Sequence, residues 1–225
     1  MNKTLRNCLF GMGLALLVSV AAAQENFVVG GVAGVRGLHG HAVLPPGAIF
    51  SNCGTGCTSY NTTTGIYISG TGFSTSHGGG QTVAIGFSAK TATKFVKALT
   101  PNAVYIGNGG ASKGRMSAFL LNGSATAGPS TKLAALVQSG VIPDFPSSKV
   151  IRYTLKKGAN PVTFKPGKTY FFCETEPVAD VQLLWMLSSH DTSNPYFYQF
   201  SDSCTAKGLN WINASQDGKT AVEIN

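Results

Sequence analysis

This 225-residue sequence predicts an all-β protein, a two-layer antiparallel β-sandwich with jelly-roll or Greek-key connections. Three observations lead there. The composition has 28 Gly, 13 Phe and only 12% charged residues, so it is rich in turn and strand formers and poor in the charged residues that surface helices use. From Gly47 onward, short apolar runs are punctuated by Gly, Asn, Ser and Pro. Within those runs, alternation such as Val83, Ile85, Phe87 against Thr82, Ala84, Gly86 has the period of two that separates the faces of a sheet. No repeat of fixed period appears, which disfavours propellers and solenoids.

The first 23 residues are a different object. Lys3 and Arg6 precede an apolar run ending at Val20, and Ala21-Ala22-Ala23 follows, the charged, apolar and small-residue order of a secretory signal cleaved after Ala23. That run is short for a membrane span, so no stable membrane insertion is expected once it is removed. Cys8 precedes the run and cannot be a lipoprotein cysteine. Residues 24–46 mix Gly and Val and end at Pro45-Pro46, which reads as a leader, and 47–225 as a single sandwich domain.

Strands are expected at 48–51, 66–69, 81–88, 93–99, 102–107, 115–121, 149–155, 161–164, 169–175, 181–188, 196–201, 209–213 and 220–224. Thr131–Gly140 fits a helix face and a buried strand about equally, and is assigned to strand. The glycine runs Gly78–Gly80 and Asn108–Gly110 read as hairpin loops, because neither leads into the helix N-terminus that a phosphate cradle needs.

Without Lys3 and Arg6, 15 of the 17 Lys and Arg remain against 9 Asp and Glu, a formal charge of +6. The bases are scattered rather than interleaved with aromatics, so nucleic acid is not an expected partner, whereas weak attraction to acidic cell-surface polymers is. Four cysteines remain, an even number suited to an oxidising compartment, and they permit three pairings. The two glycines of Cys53-Gly-Thr-Gly-Cys57 allow a tight loop, which favours Cys53–Cys57 and hence Cys173–Cys204. The spacing is a poor match to zinc. His39 and His41, without an acid or cysteine nearby, read as solvated; no metal and no cofactor are expected.

No G-x-S-x-G motif is present, and no acid is placed to support His77 beside its serines. Glu174 and Glu176 share a strand face, with Asp202 brought near by the Cys173–Cys204 link, so a carbohydrate-active hydrolase could be built on these carboxyls. Alternation instead assigns Glu174 and Glu176 to an outward, solvated face, and a calcium patch there would lack an Asp-x-Asp array. Trp185, Tyr196, Tyr198 and Trp211 are the candidates for binding a polysaccharide, since flat rings with amide neighbours stack on sugars. Burial of Tyr196, Tyr198 and Phe200 together in the core, or else of Phe197 alone, is the competing assignment.

The order Tyr60-Asn61-Thr62, Gly65-Ile66-Tyr67-Ile68-Ser69-Gly70, Gln81–Phe87, RMSAFLLNGSATAGPSTKLA, FKPGKTYFFC and QLLWM resembles the bacterial extracellular domains called choice-of-anchor R. The resemblance covers 47–225 and implies a jelly roll displayed at the cell surface, with activity unassigned. The usual C-terminal anchor is not matched, because the sequence ends GKTAVEIN. The expectation is thus an exported, non-catalytic module, secreted, periplasmic or at the cell surface, with a structural, adhesive or carbohydrate-binding role toward cell-surface or matrix polysaccharide.

Overall fold

The computed structural model describes residues 44–75, 78–107, 115–190, 194–199, 201, 203–205, 211–214 and 219–225. The expected signal and most of the expected leader, with His39 and His41, lie outside the described residues, as do His77, Asn108–Gly110, Phe200 and Asp202. The strands in chain order are β1 (Phe50–Ser51), β2 (Tyr60–Thr75), β3 (Gly78–Ser88), β4 (Thr93–Lys94), β5 (Ala98–Gly107), β6 (Ser117–Ser124) and β7 (Gly128–Ser139). There follow β8 (Lys149–Leu155), β9 (Thr163–Phe164), β10 (Thr169–Thr175), β11 (Val181–Ser188), β12 (Tyr196–Gln199), β13 (Ile212–Asn213) and β14 (Glu223–Ile224). Among the described residues the only helical element is a 3-10 turn at Thr55–Cys57.

The sandwich is not what forms. Eight strands run in the order β5-β11-β2-β3-β10-β6-β7-β8, and β8 returns to pair with β5 from Ala98↔Tyr153 to Asn102↔Lys149. That last pairing closes the sheet into an antiparallel barrel and replaces the jelly roll implied by the resemblance. The physical reason is that alternation states only that each strand has a buried and a covered or wet face. A sandwich and a barrel share that property, and the closing pairs join residues 47 to 55 positions apart, in the pattern of neither local run.

Glycine concealed the strand lengths. The expected loop Gly78–Gly80 lies inside β3, and β2 runs 16 residues through Gly65, Gly70 and Gly72. These are close approaches rather than turns. A Cβ on Gly70 would fall 1.8 Å from the Val178 carbonyl oxygen, and one on Gly65 would fall 2.9 Å from that of Trp185. The stretch expected as one strand over 93–99 instead splits, with β4 pairing β9 and β5 beginning at Ala98. Thr131–Gly140 is strand, most of it within β7.

Inside the barrel, Ile66, Ile68, Ile85, Leu120, Phe172 and Trp185 are buried and mutually packed. Such filling is normal at eight strands, where the bore is about one layer of side chains wide. Phe172 and Trp185 meet edge to face at 5.5 Å. Outside, a second apolar layer joins Phe171, Cys173 and Leu121 of the wall to Phe197 and Cys204 of the segment laid over it. β12 of that segment also pairs with β3.

Both expected disulfides are formed, with Cα separations of 4.5 Å for Cys53–Cys57 and 6.2 Å for Cys173–Cys204. They leave none of these sulfurs as a thiolate for zinc, and they are consistent with an oxidising compartment. The second closes the longer loop, 31 residues against 4, so chain entropy assigns it about 4 kcal/mol against about 2 for the first. Thermal unfolding of Cys173→Ala/Cys204→Ala is expected to show the larger fall in Tm, compared with Cys53→Ala/Cys57→Ala.

Candidate functional site

The candidates of the sequence fall in three places. Trp185 and Tyr196 are core residues, 0% and 1% exposed, and the Trp185 indole Nε1 donates to the Ala221 carbonyl at 2.7 Å. Trp185 therefore has no face to offer a sugar. Tyr198 is half-buried against the barrel core, and Trp211 is half-buried on the outer cluster beside Phe197. Both faces of β12 are thus covered, so the choice between Tyr196 with Tyr198 and Phe197 alone does not arise.

Glu174 and Glu176 point into the barrel, not to solvent. Glu174 is paired across the sheet with Val83 and with Ala118, both core residues, and both glutamates are fully buried. Alternation misleads here because both faces of β10 are buried, Phe171 and Cys173 lying beneath the strapped outer segment. What makes the buried position tolerable is a polar centre. Glu174 Oε1 accepts from Thr100 Oγ1 at 2.7 Å and from Asn102 Nδ2 at 3.3 Å, and Asn102 Nδ2 also donates to Thr100 Oγ1 at 2.7 Å. Glu174 Oε2 and Asn102 Oδ1 are buried without a hydrogen-bond partner.

Loss of solvation dominates the ionisation of this centre. It lifts the Glu174 carboxyl from 4.5 to about 8 against the opposing pull of its hydrogen-bond donors. Tyr153, also fully buried, is raised well above the ordinary phenol value, first by burial and then by the charge of Glu174. Glu176 is lifted to about 7, again by burial, with the Val178 N–H bond to its Oε1 at 2.7 Å acting the other way. A glycosidase needs its two carboxyls across an open groove; Glu174 and Glu176 are both fully buried, and Asp202 is outside the described residues.

A different set of rings reaches the surface. Tyr67 of β2 is paired with Leu184 of β11, and Leu184 with Ala103 of β5, which puts all three on the outer face with Tyr105 two residues further on. Pro143–Phe145 runs beside β5, held by Val104 N to the Pro143 carbonyl at 2.8 Å and by Phe145 N to the Val104 carbonyl at 2.7 Å. The rings of Tyr67 and Tyr105 lie 5.1 Å apart and tilted by 56°, and those of Tyr105 and Phe145 5.9 Å apart at 63°. Tyr105 is 38% exposed. Burial, and then a hydrogen bond shared with Tyr105, raise the Tyr67 phenol above its ordinary value.

Polar groups flank these rings. Gln182, on the same face of β11, donates from Nε2 to Ser69 Oγ at 3.1 Å, and the Tyr60 hydroxyl shares a 3.3 Å hydrogen bond with Ser148 Oγ. The sequence does carry a signal for this wall. Tyr67 between Ile66 and Ile68, and Tyr105 between Val104 and Ile106, are single aromatics of opposite phase to aliphatic neighbours, as an outward ring on a barrel strand must be. Among the described residues no group of three or more His, Cys, Asp or Glu comes together as a metal set, and no helix is long and apolar enough to cross a membrane. No family model matches the chain, and no curated protein or solved structure matches it significantly.

Proposed function

We propose that this protein is an exported binding module of the cell surface or periplasm that takes polysaccharide on the wall formed by Tyr67, Tyr105 and Phe145. The observation that carries the reading is that Tyr105 is exposed between the half-buried rings of Tyr67 and Phe145, all three on hydrogen-bonded backbone, with their spacing fixed before any ligand arrives. Apolar sugar faces stack on such rings, and a wall ordered beforehand loses little entropy on binding. Gln182 and Ser69 supply planar and hydroxyl partners at its edge. Successive ring planes are tilted by more than 50°, a shape suited to a single glycan chain rather than to a flat crystalline face. The two disulfides fit such a setting.

Glycan-array screening followed by calorimetry of the mature chain tests this. Tyr105→Ala should weaken the best glycan about 10-fold, as one stacked ring of about 1–1.5 kcal/mol implies, while Tyr67→Phe, which keeps the ring, should stay near wild type. Saturable binding indifferent to Tyr105→Ala, or no saturable binding at all, would sink the reading.

A further inference from the structure

Among the described residues, lysines are concentrated at one end of the barrel. The connections at one end run from Ala89 to Lys97, between β3 and β5, and from Lys156 to Lys168, between β8 and β10. Together they carry Lys90, Lys94, Lys97, Lys156, Lys157, Lys165 and Lys168, and no acidic residue. Six of these lysines are exposed and Lys97 is half-buried. Among the described residues the surface acids are Asp144 and Asp180, both in connections at the opposite end. Glu174 and Glu176 are inside the barrel. Glu223, the described acid nearest the lysine end in the strand register, is 3% exposed, and its oxygens accept from Cys57 N and Asn225 Nδ2.

The two connections form one built cap. β4 pairs with β9, Ala89 bridges Pro166, and Phe95 N donates to the Val162 carbonyl at 2.9 Å. Phe95 and Phe164 are buried beneath, Phe164 packing on Phe87 at 5.1 Å and on Tyr170 at 4.7 Å. The Tyr170 hydroxyl accepts from Lys165 N at 2.8 Å, and Val96 N and Lys97 N both donate to the Asn225 carbonyl. The backbone that carries the lysines is therefore tied down by core packing and hydrogen bonds.

We infer that this lysine cap is a second binding surface, distinct from the aromatic wall, and that its partner is an acidic polysaccharide. The residue types choose among polyanions. The cap's charges are all lysine, point charges without the fork that reads phosphate or guanine, and its rings are turned inward, which leaves nothing for nucleobases to stack on. Val96, 60% exposed, is the only large apolar side chain there to enter a bilayer. A polymer bearing a charge on each sugar or two meets a cluster of point charges without needing either feature.

The experiment uses the mature chain and two charge-matched quadruple variants. One replaces Lys156, Lys157, Lys165 and Lys168 by Glu; the other replaces Arg115, Lys132, Lys149 and Arg152, exposed bases outside the cap. Binding to polygalacturonate and to dextran sulfate is measured from 25 to 200 mM salt, beside neutral dextran, vesicles containing phosphatidylglycerol, and duplex DNA. The expected result is binding to both acidic polysaccharides that falls at least 10-fold in the cap variant and less than 3-fold in the other, with the salt slope reduced only in the first. Thermal melts check that both variants fold, and single Lys→Gln changes in the cap replace the quadruple if it does not. Equal losses in the two variants, no binding to the acidic polysaccharides at 25 mM salt, or tighter binding to DNA or vesicles would overturn the inference. Tyr105→Ala is expected to leave this binding unchanged, so failure of one surface does not decide the other.

Discussion

Glu174→Gln is expected to remove the steepest part of the protein's loss of stability in mild alkali. In the folded barrel the Glu174 carboxyl holds its proton up to about pH 8, whereas in the unfolded chain it ionises near 4.5. Below pH 4.5 both states are protonated and the group contributes no pH dependence. Between 4.5 and 8 the folded state binds the extra proton, so stability falls as pH rises, and above 8 the fall ends. A gap of that width corresponds to roughly 5 kcal/mol, an upper figure for a site whose hydrogen bonds also readjust. Glu176 adds a fall of the same sign that is complete by about pH 7.

The interval between pH 7 and 8 therefore belongs mainly to Glu174. Glutamine keeps the shape of the side chain, retains an acceptor for Thr100 and Asn102, and places an uncharged N–H group where Oε2 stood. Urea unfolding at pH 5, 7 and 8.5 should show wild type losing several kcal/mol from the first to the last, with the variant nearly flat above pH 7. Persistence of the wild-type slope in Glu174→Gln would show that another group titrates. Glu174→Leu makes a useful second variant, because it removes the acceptor and leaves the Thr100 and Asn102 donors buried, and should be less stable than Glu174→Gln at every pH.

The same residue shows how far the sequence could be read. The alternation of Tyr170, Phe172 and Glu174 with Phe171, Cys173 and Thr175 locates a strand from Thr169 to Thr175, and the structure has one with those bounds. It does not say which face is inside, because a closed wall strapped by a disulfide buries both, and assigning the charged residue outward is then the wrong default. The Cys53-x3-Cys57 spacing needs only local geometry to become a disulfide. Closure of β8 on β5, in contrast, depends on register between distant segments, and the long reach of β2 is hidden by glycines whose purpose is to let Val178 and Trp185 backbone come near. The aromatic wall is legible in phase at Tyr67 and Tyr105, but Phe145 joins it only through a loop that pairs with Val104. The lysine cap was scattered in sequence and becomes one surface only when β4 meets β9.

Asn52→Ala should have the other large effect, and it should be local before it is global. The last strand, β14, lies between β1 and the first residues of β5, and the approach to it is held by a few backbone bonds to Asn52, Met186 and Ser188 together with side chains, without a full ladder. Asn52, fully buried, donates from Nδ2 to the Thr220 carbonyl at 2.8 Å and accepts from Val222 N at 2.7 Å, so one amide does the work of a neighbouring peptide group. Trp185 Nε1 takes the Ala221 carbonyl between them. Alanine at position 52 leaves one buried donor and one buried acceptor without partners, at about 1–3 kcal/mol each. Asn52→Asp keeps the acceptor for Val222 but turns a carboxylate oxygen on the Thr220 carbonyl, and should be at least as damaging. Hydrogen exchange locates the effect: in Asn52→Ala, amides of Thr220–Asn225 should exchange at least 10-fold faster while those of β3 and β10 keep their protection, as expected for a unit that opens before the barrel. Trp185→Phe removes a third tie to the same segment, so its cost added to Asn52→Ala should be less than the sum of the two singles. If the C-terminal amides and the barrel amides accelerate together in Asn52→Ala, the last strand is not a separate unit but part of what closes the barrel.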